Sequence, residues 1–344
     1  MTKFENSNGI IMSRLPQKSS PEWISKLLYP FRSGKNSKFV YFANCALREL
    51  VPASVCRARI ESLIESGLKQ FNRTDILDRV NYYNKLSHPT LLSEDAPQLA
   101  DHRLGPKAQV YYFDTREFTR YFEPSLRWRH LPGDIIHIPT EPTIVKSRPI
   151  AGNNANSILL NLNKVRHFIF VNDTLPFEQK KTRAIFRGKV RNKPKRIDLF
   201  TKHFGNPLCN FGDTSSHSTD PDAWKTGKMT IQEQLENKFI LAIEGNDVAS
   251  NLKWILSSNA IAMMPRPEFE TWFMEGRLIP DVHYIELAAD FSDLEEKIRY
   301  YSKHTEAAHA IINQAHEYVQ QFQTPQCERL ISLLVMRKYF ALTN

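Results

Sequence analysis

A chain of 344 residues, 41% hydrophobic and 24% charged, is long enough for two domains and a sizeable core, and its composition is that of a soluble globular protein. No apolar run approaches the ~20 residues that span a bilayer, and the N-terminal MTKFENSNG lacks the apolar core of a signal peptide. The formal net charge of +9 favours polyanions: nucleic acid, anionic lipid headgroups or sugar phosphates.

The four cysteines, Cys45, Cys56, Cys209 and Cys327, are scattered and suit neither a zinc site nor a disulfide framework, so a reducing cytoplasm is expected. In chain order, Ser20-Pro21-Glu22 reads as a helix start. Val55 to Ser66 has helical apolar spacing and stops at Gly67, and Asp75 to Leu86 is a second amphipathic run. From Gln109 to Ile150 short runs read as strands: Val110–Phe113, Ile135-Ile136 and Thr143–Val145. Val165–Val171 and Ala184–Phe186 read likewise. Phe239–Ile243, a polar turn at Gly245-Asn246-Asp247, a short helix capped by Ser250 or Asn251, and Ala260–Met264 form a βαβ pattern. Ser292-Asp293-Leu294-Glu295 reads as a capping box opening a helix towards His304. Thr305–Phe322 and Pro325–Leu342 follow as helices. Strands alternating with helices predict an α/β fold with a largely parallel sheet.

Several segments carry chemistry. The turn after Ile243 places backbone N–H groups beside a strand's carboxyl end, where a phosphate-bearing ligand binds, and Lys253 in the first helical turn is a cation for the same anion. Lys180 to Arg196 holds nine Lys and Arg and no acid. Most of these read as a solvated basic loop, but Arg187-Gly188 follows a strand and gives an arginine fork for a diphosphate. Asp134 leads a β-branched run that Lys146 and Arg148 close. It is either a turn residue or a general base facing a cationic wall. His137 reads as structural, as do His283 and Tyr284. Asp220-Pro221-Asp222 has the acid-x-acid spacing of metal-dependent sugar transferases and is equally a simple turn. Trp272-Phe273, among Glu268, Glu270 and Glu275, reads as packing, with a sugar platform as the alternative. P-loop, GxGxxG, HExxH, GxSxG and kinase motifs are absent from the sequence.

Taken in order, PTIVKSRPI (Pro142–Ile150), IFRG (Ile185–Gly188), EGNDVASNLKWILSSN (Glu244–Asn259), ETWFMEGRLIPDVHYIEL (Glu270–Leu287) and SDLEEKIRYY (Ser292–Tyr301) resemble glycosyltransferase family 90, and most closely its bacterial lipopolysaccharide-core branch. The resemblance covers about residues 105–325. It implies a GT-B architecture, two Rossmann-like domains facing across a cleft with a helix-rich N-terminal segment: residues 1–170 for the acceptor and 171–344 for the nucleotide sugar. It implies transfer of glucose or galactose from a UDP-sugar, with inversion and no obligatory metal or other cofactor. The implied acceptor is the lipid A–core oligosaccharide, reached by a cytoplasmic protein peripheral at the inner face of the inner membrane, with no nucleic-acid partner. Carried onto this chain, Arg187 and Gly188 meet the donor diphosphate, and Gly245, Asn246, Asp247, Ala249, Ser250 and Lys253 form the donor loop. Asp134, five residues before Pro139, is the base, with Asp114 in reserve and Lys146 and Arg148 as accessory cations. Relatives in the eukaryotic branch carry Arg where this chain has Leu252, which leaves Lys253 as the substitute charge. The competing readings are a metal-dependent transferase using Asp220 and Asp222, and a basic nucleic-acid-binding protein using Lys180 to Arg196.

Overall fold

Residues 33–216 and 220–344 are described by the computed structural model, and they begin with helices. These are α1 (Lys38–Glu49), α2 (Ala53–Gln70), α3 (Arg73–Tyr83) and α4 (Gln109–Thr119). The helix start at Ser20-Pro21-Glu22 lies outside the described residues. α2 continues past Gly67 because that glycine is a contact point: a Cβ there would stand 2.8 Å from Leu330 Cδ2. α4 replaces the strand expected at Val110–Phe113. Helical spacing turns Asp114, Thr115 and Phe118 inward together, and this tertiary packing overrides the strand propensity of the aromatic run.

The next strands are β1 (His130–Leu131), β2 (Thr143–Val145), β3 (Ser147–Pro149) and β4 (Ser157–Leu159). β1, β2 and β4 form a parallel three-stranded sheet in the order β1-β2-β4. Ile135-Ile136 is not a strand. It lies in the long connection that a parallel β1–β2 pair requires, hooked to Ser147 Oγ, which accepts from Ile135 N and donates to Ile135 O at 3.1 Å each. Val165–Val171 is not a strand either: Lys164–His167 is a single helical turn, α5, and Val171 N donates to the Ser257 hydroxyl at 3.0 Å.

The chain continues through β5 (Lys181–Gly188), α6 (Pro194–His203), β6 (Cys209–Asp213), α7 (Ile231–Leu235), β7 (Asn237–Leu241), α8 (Leu252–Leu256), β8 (Ile261–Met264), β9 (Phe269–Thr271) and β10 (Ile285–Glu286). Five of these strands make a parallel sheet in the order β10-β8-β7-β5-β6. Both faces are covered, which is why β7 and β8 read as continuous apolar runs. Alternation then splits them: Phe186, Phe239, Leu241 and Met263 pack on one face with Leu199 and Phe200 of α6, and Ile185, Ile240, Ala262 and Met264 on the other with Ile231 of α7 and Leu252 and Ile255 of α8. Because β6 and β7 flank β5, and their preceding helices lie on opposite faces, the carboxyl ends of β5 and β7 form a topological switch point, the usual ligand crevice of a doubly wound sheet.

Helices α9 (Leu294–Lys303), α10 (Thr305–Gln320) and α11 (Pro325–Thr343) complete the chain. The capping box expected at Ser292–Glu295 does not form, because Asp293 Oδ1 accepts from Ala288 N at 3.0 Å and leaves the helix uncapped by a side chain. α11 runs back onto the first helices. Glu328 takes Arg79 at 2.6 Å and Trp272 Nε1 at 2.5 Å, and Tyr83 stacks on Trp272 at 3.8 Å. Trp272 is 1% exposed, so it is core and not a sugar platform. One apolar cluster runs from α2 and α3 through the small sheet to one face of the large sheet.

The halves are also joined by the antiparallel pair β3–β9. Within it Arg148 Nε donates to Glu270 Oε1 at 2.8 Å, and the same guanidinium donates to Ser157 O at 2.9 Å and Tyr82 O at 2.8 Å. Both members of this ion pair are buried, and truncating one partner of such a pair costs about 3–5 kcal/mol. Glu270→Ala should therefore lower the denaturant midpoint by that amount of stability; a change below about 1 kcal/mol would show that the pair is not a fastener.

Candidate active site

The loop from β1 to β2 carries Asp134, and the turn after β7 carries Asn246 and Asp247. Lys146, the first residue beyond β2, joins them. Its Nζ lies 2.5 Å from Asp134 Oδ1 and 2.6 Å from Asp247 Oδ2, and it is 1% exposed. Asn246 Nδ2 donates to Asp134 Oδ2 at 2.9 Å. Both parallel sheets thus direct their carboxyl ends at one crevice. Burial pushes the Asp134 carboxyl up, but its bonds to Lys146 and Asn246 outweigh burial and hold it below the usual carboxylate range. Burial works against the Lys146 ammonium in turn, and Asp247, Tyr111 and Asp134 carry it above the ordinary lysine value. Tyr111 of α4 is within range of the same charges.

The donor-loop residues are held from below. Arg196, on the first turn of α6, donates to Ile243 O at 2.7 Å, to Glu244 O at 3.1 Å and to Lys189 O at 2.8 Å. It ties the carboxyl ends of β5 and β7 together without an acidic partner, and burial lowers its pKa to about 10. This explains Gly245: a Cβ there would stand 2.9 Å from Arg196 Nη2. Lys193 bonds Asn246, and Lys195 pairs with Glu244 at 2.6 Å. Val248 and Ala249 are buried, and Ser250 is partly exposed.

Arg187, at the end of β5, leans the other way, with Nη1 and Nη2 each 2.7 Å from Asn210 of β6 and Nε buried without a partner among the described residues. Gly188 ends the strand beside it, and its carbonyl accepts from Thr214 N at 2.9 Å. Beyond β8 and β10 opens a groove of about 550 Å³, lined by Lys195, Arg266, Glu268, Glu286, Ala288 and Lys297.

Three candidates need correction. Lys253 is fully buried and paired with Glu275, so it does not face the crevice. The helix behind it has only five residues, and Asn251 turns its amide onto Leu241 O at 3.0 Å rather than capping it. Asp114 is sealed inside α4, accepting from Tyr41 OH at 2.8 Å and Lys164 N at 3.1 Å, and burial raises its carboxyl. Arg148 is the buried fastener of β3–β9.

Asp222 is exposed and pairs with Lys225 at 2.5 Å. His137 is solvent-facing, and His283 Nδ1 accepts from Ile279 N at 2.8 Å, a structural bond. The start of the basic segment is paired: Lys180 with Asp173 at 2.7 Å in the interior, Lys181 with Glu236 at 2.5 Å on the surface, and Arg183 with Asn237 at 2.7 Å. Sequence reading gave no role to Arg166, an exposed cation within electrostatic range of Asp134, or to His167. The latter is 1% exposed with neither ring nitrogen partnered among the described residues, and burial keeps it neutral.

Residues 159–328, which hold the large sheet, match the model of glycosyl transferase family 90. Over 271 residues the chain is 45% identical to the O-glucosyltransferase LpsA of Dichelobacter nodosus, covering 78% of this chain and 84% of that protein. The chain belongs to glycosyltransferase family 90. It is therefore a glycosyltransferase, and the family match spans both the β5 and β7 carboxyl ends. Among the described residues, no helix of this family 90 chain is long and apolar enough to cross a membrane.

Lys146 separates two carboxylates, and its removal has a signed consequence. In the wild type the lowered Asp134 pKa adds stability that is present above the unfolded value of about 3.9 and lost as pH falls through the folded one. In Lys146→Met, burial and the facing Asp247 raise the folded pKa instead. Stability should then fall as pH rises from about 4 to 7, on top of a loss of about 3–5 kcal/mol. Unfolding free energies measured across that range check this, and a slope unchanged from wild type refutes the bridge.

Proposed function

We propose that this glycosyltransferase moves a hexose from a UDP-sugar to a sugar hydroxyl of the lipopolysaccharide core, with inversion at the anomeric carbon and without an obligatory metal. The observation that carries the reading is the meeting of Asp134 with the Asn246-Asp247 turn at the switch-point crevice. The relative's description as an O-glucosyltransferase favours glucose as the sugar. In this reading the large sheet and its crevice (171–344) hold the donor in a GT-B arrangement, and residues 1–170 hold the acceptor. The groove beyond β8 and β10 takes the nucleoside side of the donor. The protein works as a cytoplasmic enzyme at the inner-membrane surface, where the lipid-linked acceptor is presented.

Asp134 acts as the base. The acceptor hydroxyl displaces Asn246 from Oδ2 and gives its proton to that oxygen as its own oxygen attacks the anomeric carbon. The bond from that carbon to the diphosphate breaks in line, and UDP leaves with the developing charge. Arg187 and Arg166, cations at the crevice without an acid bonded to them, together with the loop N–H groups, balance that charge. Lys146 keeps Asp134 ionised until the proton arrives and holds it in place.

Asp134→Asn should lower kcat by about 10²–10⁴-fold with UDP affinity little changed, read by UDP release with purified core oligosaccharide. Turnover within a few-fold of wild type would sink the base assignment. Arg187→Ala should weaken UDP binding with the fold intact, and EDTA should leave turnover unchanged. Strict manganese dependence would favour the Asp220–Asp222 reading instead.

A further inference from the structure

Helix α1 is amphipathic the wrong way round. Phe39, Val40, Ala43, Ala46, Leu47 and Leu50 recur at i, i+1, i+4, i+7, i+8 and i+11, one continuous stripe. That stripe faces outward: Phe39 is 82% exposed, Leu50 77%, Leu47 62% and Val40 54%. Val51 and Val55, at the turn into α2, extend it. The side turned to the protein is the more polar one. Tyr41 OH donates to Asp114 Oδ1 at 2.8 Å, Arg48 pairs with Glu117 at 2.5 Å, and Cys45 fills the space between. A helix that docks by its hydrogen-bonding side and exposes its apolar side has an unfilled contact.

Charge identifies what fills it. The described residues from 33 to 60 hold five Lys and Arg against one Glu, a net +4. Two copies meeting through this face would bring +4 against +4, whereas an anionic bilayer offers both an apolar layer and opposite charge. Lys35 and Lys38 are exposed at the entry to α1. We propose that the outward stripe of α1, with its basic surroundings, is an interfacial docking surface for an anionic phospholipid bilayer.

The placement gives the surface a purpose. α1 packs on α4, and α4 carries Tyr111 towards Asp134 and Lys146 on its other side. A bilayer docked there is separated from the candidate base by α1 and α4, about 20 Å of helix, a span for the sugar end of a lipid-linked acceptor to cross. The link to catalysis rests on the proposed acceptor; the docking surface itself does not.

The test uses the full chain and sucrose-loaded vesicles of phosphatidylcholine and phosphatidylglycerol in equal amounts. Phe39→Ser with Leu47→Ser removes apolar area and keeps the charge. The pair should weaken vesicle binding about tenfold or more, with unchanged far-ultraviolet circular dichroism and unchanged UDP release on a soluble core oligosaccharide. Wild-type binding should fall when phosphatidylglycerol is omitted. Undiminished binding by the double variant, or no binding by the wild type, overturns the proposal. So does a wild-type dimer in sedimentation velocity that the variant splits, since the stripe then serves self-association. Vesicle binding without any sugar transfer would leave the docking surface standing and remove the enzymatic reading.

Discussion

One ammonium, Lys146 Nζ, sits between a carboxylate from the small sheet and a carboxylate from the large one, almost out of reach of water. A lysine taken out of solvent loses hydration worth several kcal/mol, and only close opposite charges restore it. Asp134 and Asp247 both have to be present, and both have to be near, for Lys146 to stay charged there. The consequence runs outward. The β1–β2 loop is held at Asp134, and the turn after β7 is held at Asn246 and Asp247. The crevice between the sheets therefore has a fixed width at its base, although neither loop contributes a strand to the other sheet.

The remaining fastenings leave that crevice open. Arg148 and Glu270 join β3 to β9 deep in the molecule, and Arg196 binds the carboxyl ends of β5 and β7 through backbone oxygens. Each uses a charged group for architecture. Arg187 keeps a buried Nε without a partner among the described residues, and Arg166 lies within electrostatic range of Asp134. In the proposed reaction such a site would be rigid where the proton moves and cationic where charge develops, a division suited to group transfer from a charged leaving group.

Much of this was legible in the sequence where pattern and physics coincide. Phe239–Ile243 and Ala260–Met264 are apolar without interruption because both faces of their sheet are covered, and both were readable as buried strands. Asp134 and the EGND turn were readable as polar breaks beside strand ends. Val110–Phe113 was not, because an aromatic run has strand propensity and only the surfaces of α1 and α11, distant in sequence, make it a helix. Lys253 was misread for a related reason. Its position in the first helical turn is local information, and its partner Glu275 arrives from 22 residues away. Arg196 was hidden among eight other basic residues, since nothing local separates a guanidinium that binds carbonyls from one that meets solvent.

The path of α11 has a consequence for how the molecule is made. Leu330, Ile331, Met336, Tyr339 and Phe340 complete the apolar cluster of the first helices, and Tyr339 OH donates to Pro142 O at 3.0 Å. During synthesis those helices emerge long before the residues that cover them. The nascent first half must wait, with its apolar faces unpaired, while the parallel sheet of the second half is still being translated. Slow, long-range closure of this kind exposes a chain to chaperones and to aggregation.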